Sequence, residues 1–130
     1  MQSMDKILVV DDDEESRDLL CEVLEANGYA PRAAAHGLAA REVLSQDAEY
    51  RIVIADLHMP EESGWELLRK LRDQNTHHEI ILMSSFTTPT EREVAKALGV
   101  HALLEKPFQL TELLAMVAQL ASPSSVAITA

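Results

Sequence analysis

The chain has 130 residues, enough for one domain with its own core, and its 47% apolar content excludes wholesale disorder. A formal net charge of −11 argues against direct nucleic-acid binding, which needs clustered Lys and Arg, but suits a cation site. No apolar run approaches the roughly 20 residues that span a bilayer, and "MQSMDK" lacks the build of a secretory signal, so the expectation is a cytoplasmic protein without membrane insertion.

Short apolar runs alternate with amphipathic segments. "ILVV" (7–10) suits a strand buried on both faces. Leu19, Leu20, Val23 and Leu24 then form one helical stripe, stopped at Asn27-Gly28. The lone Cys21 lies within this pattern as a buried structural thiol. "YAPRAAA" (29–35) is a weaker strand whose Pro31 places it at an edge. A short helix over about 38–46 follows, with Ala39, Ala40, Val43 and Leu44 on one side.

"RIVIA" (51–55) is the third strand, ending at Asp56. A loop with a solvated "EES" (61–63) leads to a helix whose inner face is Trp65, Leu67, Leu68 and Leu71. "EIILM" (79–83) is the fourth strand, and Thr90 with Glu93 forms a candidate capping box for a helix ending at Gly99. "ALL" (102–104) is the fifth strand, and 109–121 the fifth helix, with Leu110, Leu113, Leu114, Val117 and Leu120 inward. The tail 122–130 reads as a flexible end or linker stub beyond a domain of 5–121.

Five strand–helix alternations predict an α/β fold, a parallel sheet with helices on both faces and ligands beyond the carboxyl ends of its strands. Those ends carry Asp11, Asp12 and Asp13, then Asp56, then Ser84 and Ser85, then Glu105 and Lys106. Crowded carboxylates need a counter-charge, and hard oxygen ligands suit Mg²⁺. An Asp beside a metal and a lysine suggests a nucleophile for phosphoryl transfer. No Gly-rich phosphate loop supports nucleotide binding, and His36, His58, His77, His78 and His101 fit no zinc spacing. Asp13 is expected to cap the first helix, with Glu14 and Glu15 solvated near its positive end.

The stretches "ILVVDDDEESRDLLCEVLEANGY", "IVIADLHMPEESGWELLRKLR", "IILMSS" and "LLEKPF", in this order and spacing, resemble the receiver domain of two-component response regulators, chemotaxis regulators included. The resemblance covers about 5–121 and implies a flavodoxin-like, doubly wound five-stranded sheet of order 2-1-3-4-5 with five helices. It implies phosphorylation of Asp56 by a histidine kinase's phosphohistidine or a phosphotransfer protein, with Mg²⁺, or Mn²⁺ in its place, held by Asp12, Asp56 and the His58 backbone carbonyl, and by Asp11 through water. Lys106 would bind the phosphate and Ser84 would be the switch hydroxyl, in preference to Ser85.

Leu103 stands where the family often has an aromatic switch residue, which predicts a weak response of the face formed by the fourth helix, fifth strand and fifth helix. His58 and Phe86 flank the path of attacking water and would tune dephosphorylation. The family further implies an output domain or protein, and a homodimer through that same face. The chain would be a phosphoacceptor with self-phosphorylation and autodephosphorylation capacity, not an enzyme in its own right. Two alternatives are a pseudo-receiver that binds a partner without phosphorylation, and a small Mg²⁺-dependent aspartyl phosphatase built on the D-x-D spacing of "DDD".

Overall fold

A computed structural model of the chain describes residues 5–59, 62–74, 78–85 and 87–121. Glu61, His77, Phe86 and the tail 122–130 lie outside the described residues. In chain order the elements are β1 (Lys6–Val10), α1 (Glu14–Ala26), β2 (Ala30–Ala34), α2 (Gly37–Gln46), β3 (Tyr50–Asp56), α3 (Gly64–Asp73), β4 (Glu79–Ser84), α4 (Pro89–Ala97), β5 (Ala102–Glu105) and α5 (Leu110–Leu120).

The five strands are parallel and ordered β2-β1-β3-β4-β5. Pro31 therefore sits on an edge strand, where its missing N–H interrupts no inner ladder. Alternation along the strands divides the core into two layers. Leu8, Val10, Val53, Ala55, Ile80 and Leu82 pack against Ala40 and Val43 of α2, Leu67, Leu68 and Leu71 of α3, and Ala95 of α4. Ile7, Val9, Ile52, Ile54, Ile81 and Met83 face Leu20 and Leu24 of α1 and Leu113 and Val117 of α5. The continuous apolar runs of β1, β3 and β4 reflect this burial on both sides.

Local signals fix the helix ends. Asp13 is the N-cap of α1, its carboxylate accepting from the Ser16 N–H, as expected from its place after the strand. Gly28, just beyond the Asn27 C-cap, adopts φ +89°, a conformation that favours glycine.

Three expectations need correction. The capping box of α4 is Thr88 with Glu91, not Thr90 with Glu93: the Thr88 Oγ1 accepts from the Glu91 N–H at 3.1 Å, and the Glu91 carboxylate accepts from the Thr88 N–H at 3.0 Å. Pro89 sets this register, because its fixed φ suits the first helical position and its missing N–H costs nothing there. Leu19 is 49% exposed, so the buried stripe of α1 is narrower and rests on Leu20 and Leu24. Glu62 is buried at 5% exposure, not solvated.

α3 and α4 are joined by Arg72. Its guanidinium donates to the carbonyls of Leu98 (2.9 Å), Gly99 (3.1 Å) and His78 (3.1 Å), satisfying acceptors at the C-terminal end of α4 and ahead of β4. Among the described residues, no helix is long and apolar enough to cross a membrane.

Candidate functional site

The strand register brings the acids together. Val10 pairs with Ala55 and Asp56 with Met83, so Asp11 and Asp56 leave adjacent strands side by side at the carboxyl edge. Backbone bonds continue just past the strands: the Asp11 N–H donates to Ala34 at 3.1 Å, Leu57 to Met83 at 2.8 Å, and Lys106 to Ser84 at 2.7 Å. The site thus stands on rigid ladder, with loops beginning only beyond it.

Asp11, Asp12 and Asp56 each offer a carboxylate oxygen, and these oxygens lie within 4.8 Å of one another. Asp11 and Asp56 are buried, while Asp12 is exposed. The Lys106 ammonium donates to Asp56 Oδ2 at 2.7 Å and stands 3.7 Å from Asp11 Oδ2. Asp56 Oδ1 accepts from the His58 N–H at 3.0 Å, and Asp11 Oδ1 from the Asp13 N–H at 3.0 Å. Arg17 braces the corner by donating to the Asp11 carbonyl at 3.0 Å.

One oxygen remains. Among the described residues, Asp11 Oδ2 is the buried side-chain oxygen with no hydrogen-bond partner. Leaving a buried carboxylate oxygen unmatched costs roughly 1–3 kcal/mol or more. Burial pushes the Asp11 pKa up, opposed by the Asp13 amide and by Lys106. Burial also works against the charge on Lys106, but its hydrogen bond to Asp56 and the charges of Asp56 and Asp11 outweigh it and hold the ammonium's pKa above its ordinary value. Three carboxylates facing one ammonium, with one oxygen unmatched, fit a hard divalent cation.

The other expected residues divide. Ser84 is fully buried as the last residue of β4, beside Lys106 through its backbone, whereas Ser85 is exposed. The His58 side chain is exposed next to Asp56. Leu103 is half-buried on β5 and faces α4, where with Arg92, Ala95 and Lys96 it lines a groove of about 230 Å³. Glu105 does not join the acids. It accepts from the Thr87 N–H and hydroxyl at 3.4 Å each and from Arg92 at 3.3 Å, tying the start of α4 to the end of β5. His36 is used as the N-cap of α2, its Nδ1 accepting from the Ala39 N–H.

Sequence reasoning missed a second charged cluster next to the site. The Glu62 carboxylate accepts from Arg41 of α2 at 2.8 and 2.9 Å and from Lys70 of α3 at 2.7 Å. The Arg41 hydrogen bond, with help from Lys70, holds its pKa below the ordinary carboxylate value against the opposing effect of burial. The i, i+8 spacing of Glu62 and Lys70 was visible, but Arg41 lies 21 residues away.

A doubly wound sheet of order 2-1-3-4-5, with an acid cluster and a lysine at its carboxyl edge, defines a flavodoxin-like domain of the chemotaxis-regulator type. Residues 7–118 match the response regulator receiver domain, and the chain belongs to that family. It is 34% identical over 124 residues to the probable transcriptional regulatory protein SilR of Salmonella typhimurium, covering 95% of this chain and 54% of that one. Against the transcriptional regulatory protein CusR of Escherichia coli it is 32% identical over 112 residues, 86% of this chain and 49% of that one. The chain thus spans about half the length of these curated relatives. Among solved structures, a response regulator receiver protein from Pseudomonas putida superposes with a TM-score of 0.86 at 32% identity, covering 92% of this chain and 99% of that chain. The chemotaxis protein CheY4 of Vibrio cholerae does so at 0.84 with 28% identity, covering 92% and 100%.

Proposed function

We propose that the chain is a phosphoryl-accepting switch in which Asp56 takes a phosphoryl group from the phosphohistidine of a sensor histidine kinase or a phosphotransfer protein. The observation that carries the reading is the Asp56 carboxylate at the end of a buried strand, 2.7 Å from the Lys106 ammonium and clustered with Asp11 and Asp12. An Asp56 oxygen attacks phosphorus as the N–P bond breaks, and the imidazole leaves with that bond's electron pair. Lys106 moves from pairing the carboxylate to pairing the new phosphate, which carries the negative charge that Asp56 gives up.

Asp12, Asp56 and the His58 carbonyl would hold Mg²⁺ (Mn²⁺ could replace it), and Asp11 would hold it through water. When bound, the cation neutralises charge on the transferred group. The unmatched Asp11 oxygen is the feature of this chain that most favours such a cation. Water attack on the acyl phosphate returns Asp56 and inorganic phosphate, so the domain resets itself without acting on a separate substrate. Small phosphodonors would load it by the same route.

Ser84 is the switch hydroxyl in this reading, supported by its burial beside Lys106. The output leaves through α4, β5 and α5, toward an output domain or partner or a second copy of the chain. SilR and CusR are named as transcriptional regulators, and an output of that kind would lie in the half of such proteins that this chain does not span. Radiolabelled acetyl phosphate with Mg²⁺ should label the wild type and not Asp56→Asn. Equal labelling of the variant would overturn the assignment.

A further inference from the structure

Glu62 is buried at the turn into α3, carries two cations, and has no part in the chemistry above. An apolar side chain of similar size would fill the slot with no charge to desolvate, so stability alone gives little reason for an ion trio here. What the trio supplies is direction. Arg41 grips the carboxylate from α2 with two bonds, and Lys70 closes it from α3.

Two glycines make the geometry possible. A Cβ on Gly37, the first residue of α2, would stand 2.7 Å from Glu62 Cγ and 2.7 Å from its Oε2, so the carboxylate occupies the space of an absent side chain. A Cβ on Gly64 would stand 2.6 Å from the Asp56 carbonyl oxygen and 2.9 Å from Leu57 Cα, so the start of α3 lies directly on the Asp56 backbone. The Gly64 N–H also donates to the Leu57 carbonyl at 3.0 Å. Only Ser63, the N-cap of α3, separates Glu62 from Gly64. A continuous line of contact therefore runs from Arg41 through Glu62 to the backbone at Asp56.

We propose that Glu62 is a positioning residue for the Asp56 site: clamped by Arg41 and Lys70, it fixes where the chain leaves Asp56 and so where the Asp56 carboxylate and His58 carbonyl stand relative to Asp11 and Asp12. The inference rests on the reading of Asp56 as phosphoacceptor and metal ligand. It adds α2 to the elements that set the site's metal affinity.

The test is Mg²⁺ titration of the full chain, followed through Trp65, which adjoins Gly64 on α3. Glu62→Met and Arg41→Met should each weaken Mg²⁺ binding about tenfold, in the range seen when groups that orient metal ligands are removed. The double variant should bind no more weakly than the worse single, because both remove one contact. Lys6→Met, which breaks the Lys6–Asp47 pair at the opposite edge of the sheet, should leave Mg²⁺ affinity unchanged. Arg41 is the more exposed partner, so its variant keeps the test alive if Glu62→Met fails to fold. A lowered thermal midpoint in the metal-free variants with Mg²⁺ affinity unchanged would overturn the positioning role and leave only a structural one. A wild type without an Asp56-dependent Mg²⁺ response would instead overturn the reading on which the inference rests.

Discussion

Gly64→Ala adds one methyl group where α3 meets the backbone of Asp56. Its Cβ would stand 2.6 Å from the Asp56 carbonyl oxygen, 2.9 Å from Leu57 Cα and 3.2 Å from the Asp56 carbonyl carbon. All three neighbours are backbone atoms, so no rotamer change relieves the contact, and either α3 or the end of β3 must shift. Overpacking of this kind costs about 1–3 kcal/mol, against which the better helix propensity of Ala returns about 0.5–1 kcal/mol at most. The net expectation is a loss of about 1–2 kcal/mol; with an unfolding entropy of about 2.1 cal/mol/K per residue, this lowers the thermal midpoint by about 4–8 °C. Urea and thermal unfolding followed by circular dichroism would measure it, with the denaturant slope unchanged. A midpoint equal to or above the wild type would refute the close approach and, with it, the claim that α3 rests on the peptide of Asp56.

Three further expectations follow from other parts of the molecule. Glu62 has a folded-state pKa below the ordinary 4.5, chiefly because of Arg41, so its stabilisation is present above that value and lost as pH falls through the lower folded one. Glu62→Gln should therefore cost about 1–2 kcal/mol at pH 7, with the gap to wild type narrowing in acid; denaturation curves showing a gap independent of pH would contradict this. Asp11→Asn removes a buried charge whose Oδ2 lacks a hydrogen bond, and should raise metal-free stability by about 1 kcal/mol. Mg²⁺ at a hundred times its dissociation constant should add about 2.7 kcal/mol to the wild type but little to that variant, and a variant less stable than wild type without metal would count against the argument. Leu103→Tyr places a larger side chain in the groove of about 230 Å³ against α4. Amide shifts of α4 on adding beryllofluoride and Mg²⁺ should then exceed those of the wild type, and equal shifts would show that residue 103 does not limit the response.

The parts legible in the sequence were those set by local pattern. Apolar runs of β1, β3 and β4 mark strands buried on both faces, and the residues at the ends of β1, β3 and the shorter β5 are Asp11, Asp12, Asp56 and Lys106. Their assembly depended only on parallel pairing, which places successive strand ends on one edge. Less legible was anything decided by competition between similar signals. "TTPTEREV" contains two Thr-x-x-Glu patterns, and the proline's demand for the first helical turn selects the earlier one. Glu105 lies at a strand end like the other acids, yet Thr87 and Arg92 draw it toward α4. Glu62 looked solvated because its neighbours in sequence are polar, while the cation that grips it with two bonds comes from another helix. Contacts of that range leave no periodic trace in the chain.

The attachments at the two ends of α4 are unequal. At the C-terminal end, Arg72 donates to the successive carbonyls of Leu98 and Gly99 at 2.9 and 3.1 Å, and Ala95 is buried against the sheet. At the N-terminal end, Glu105 reaches Thr87 and Arg92 through bonds of 3.3–3.4 Å, two of its partners' atoms lying at the limit of hydrogen bonding. The helix is mechanically a lever with a fixed pivot at one end and a soft tether at the other. Nine residues at about 1.5 Å each make an arm of about 13 Å. If the segment ahead of Pro89 were displaced, the end of α4 near Pro89 would follow more readily than the end held at Leu98 and Gly99.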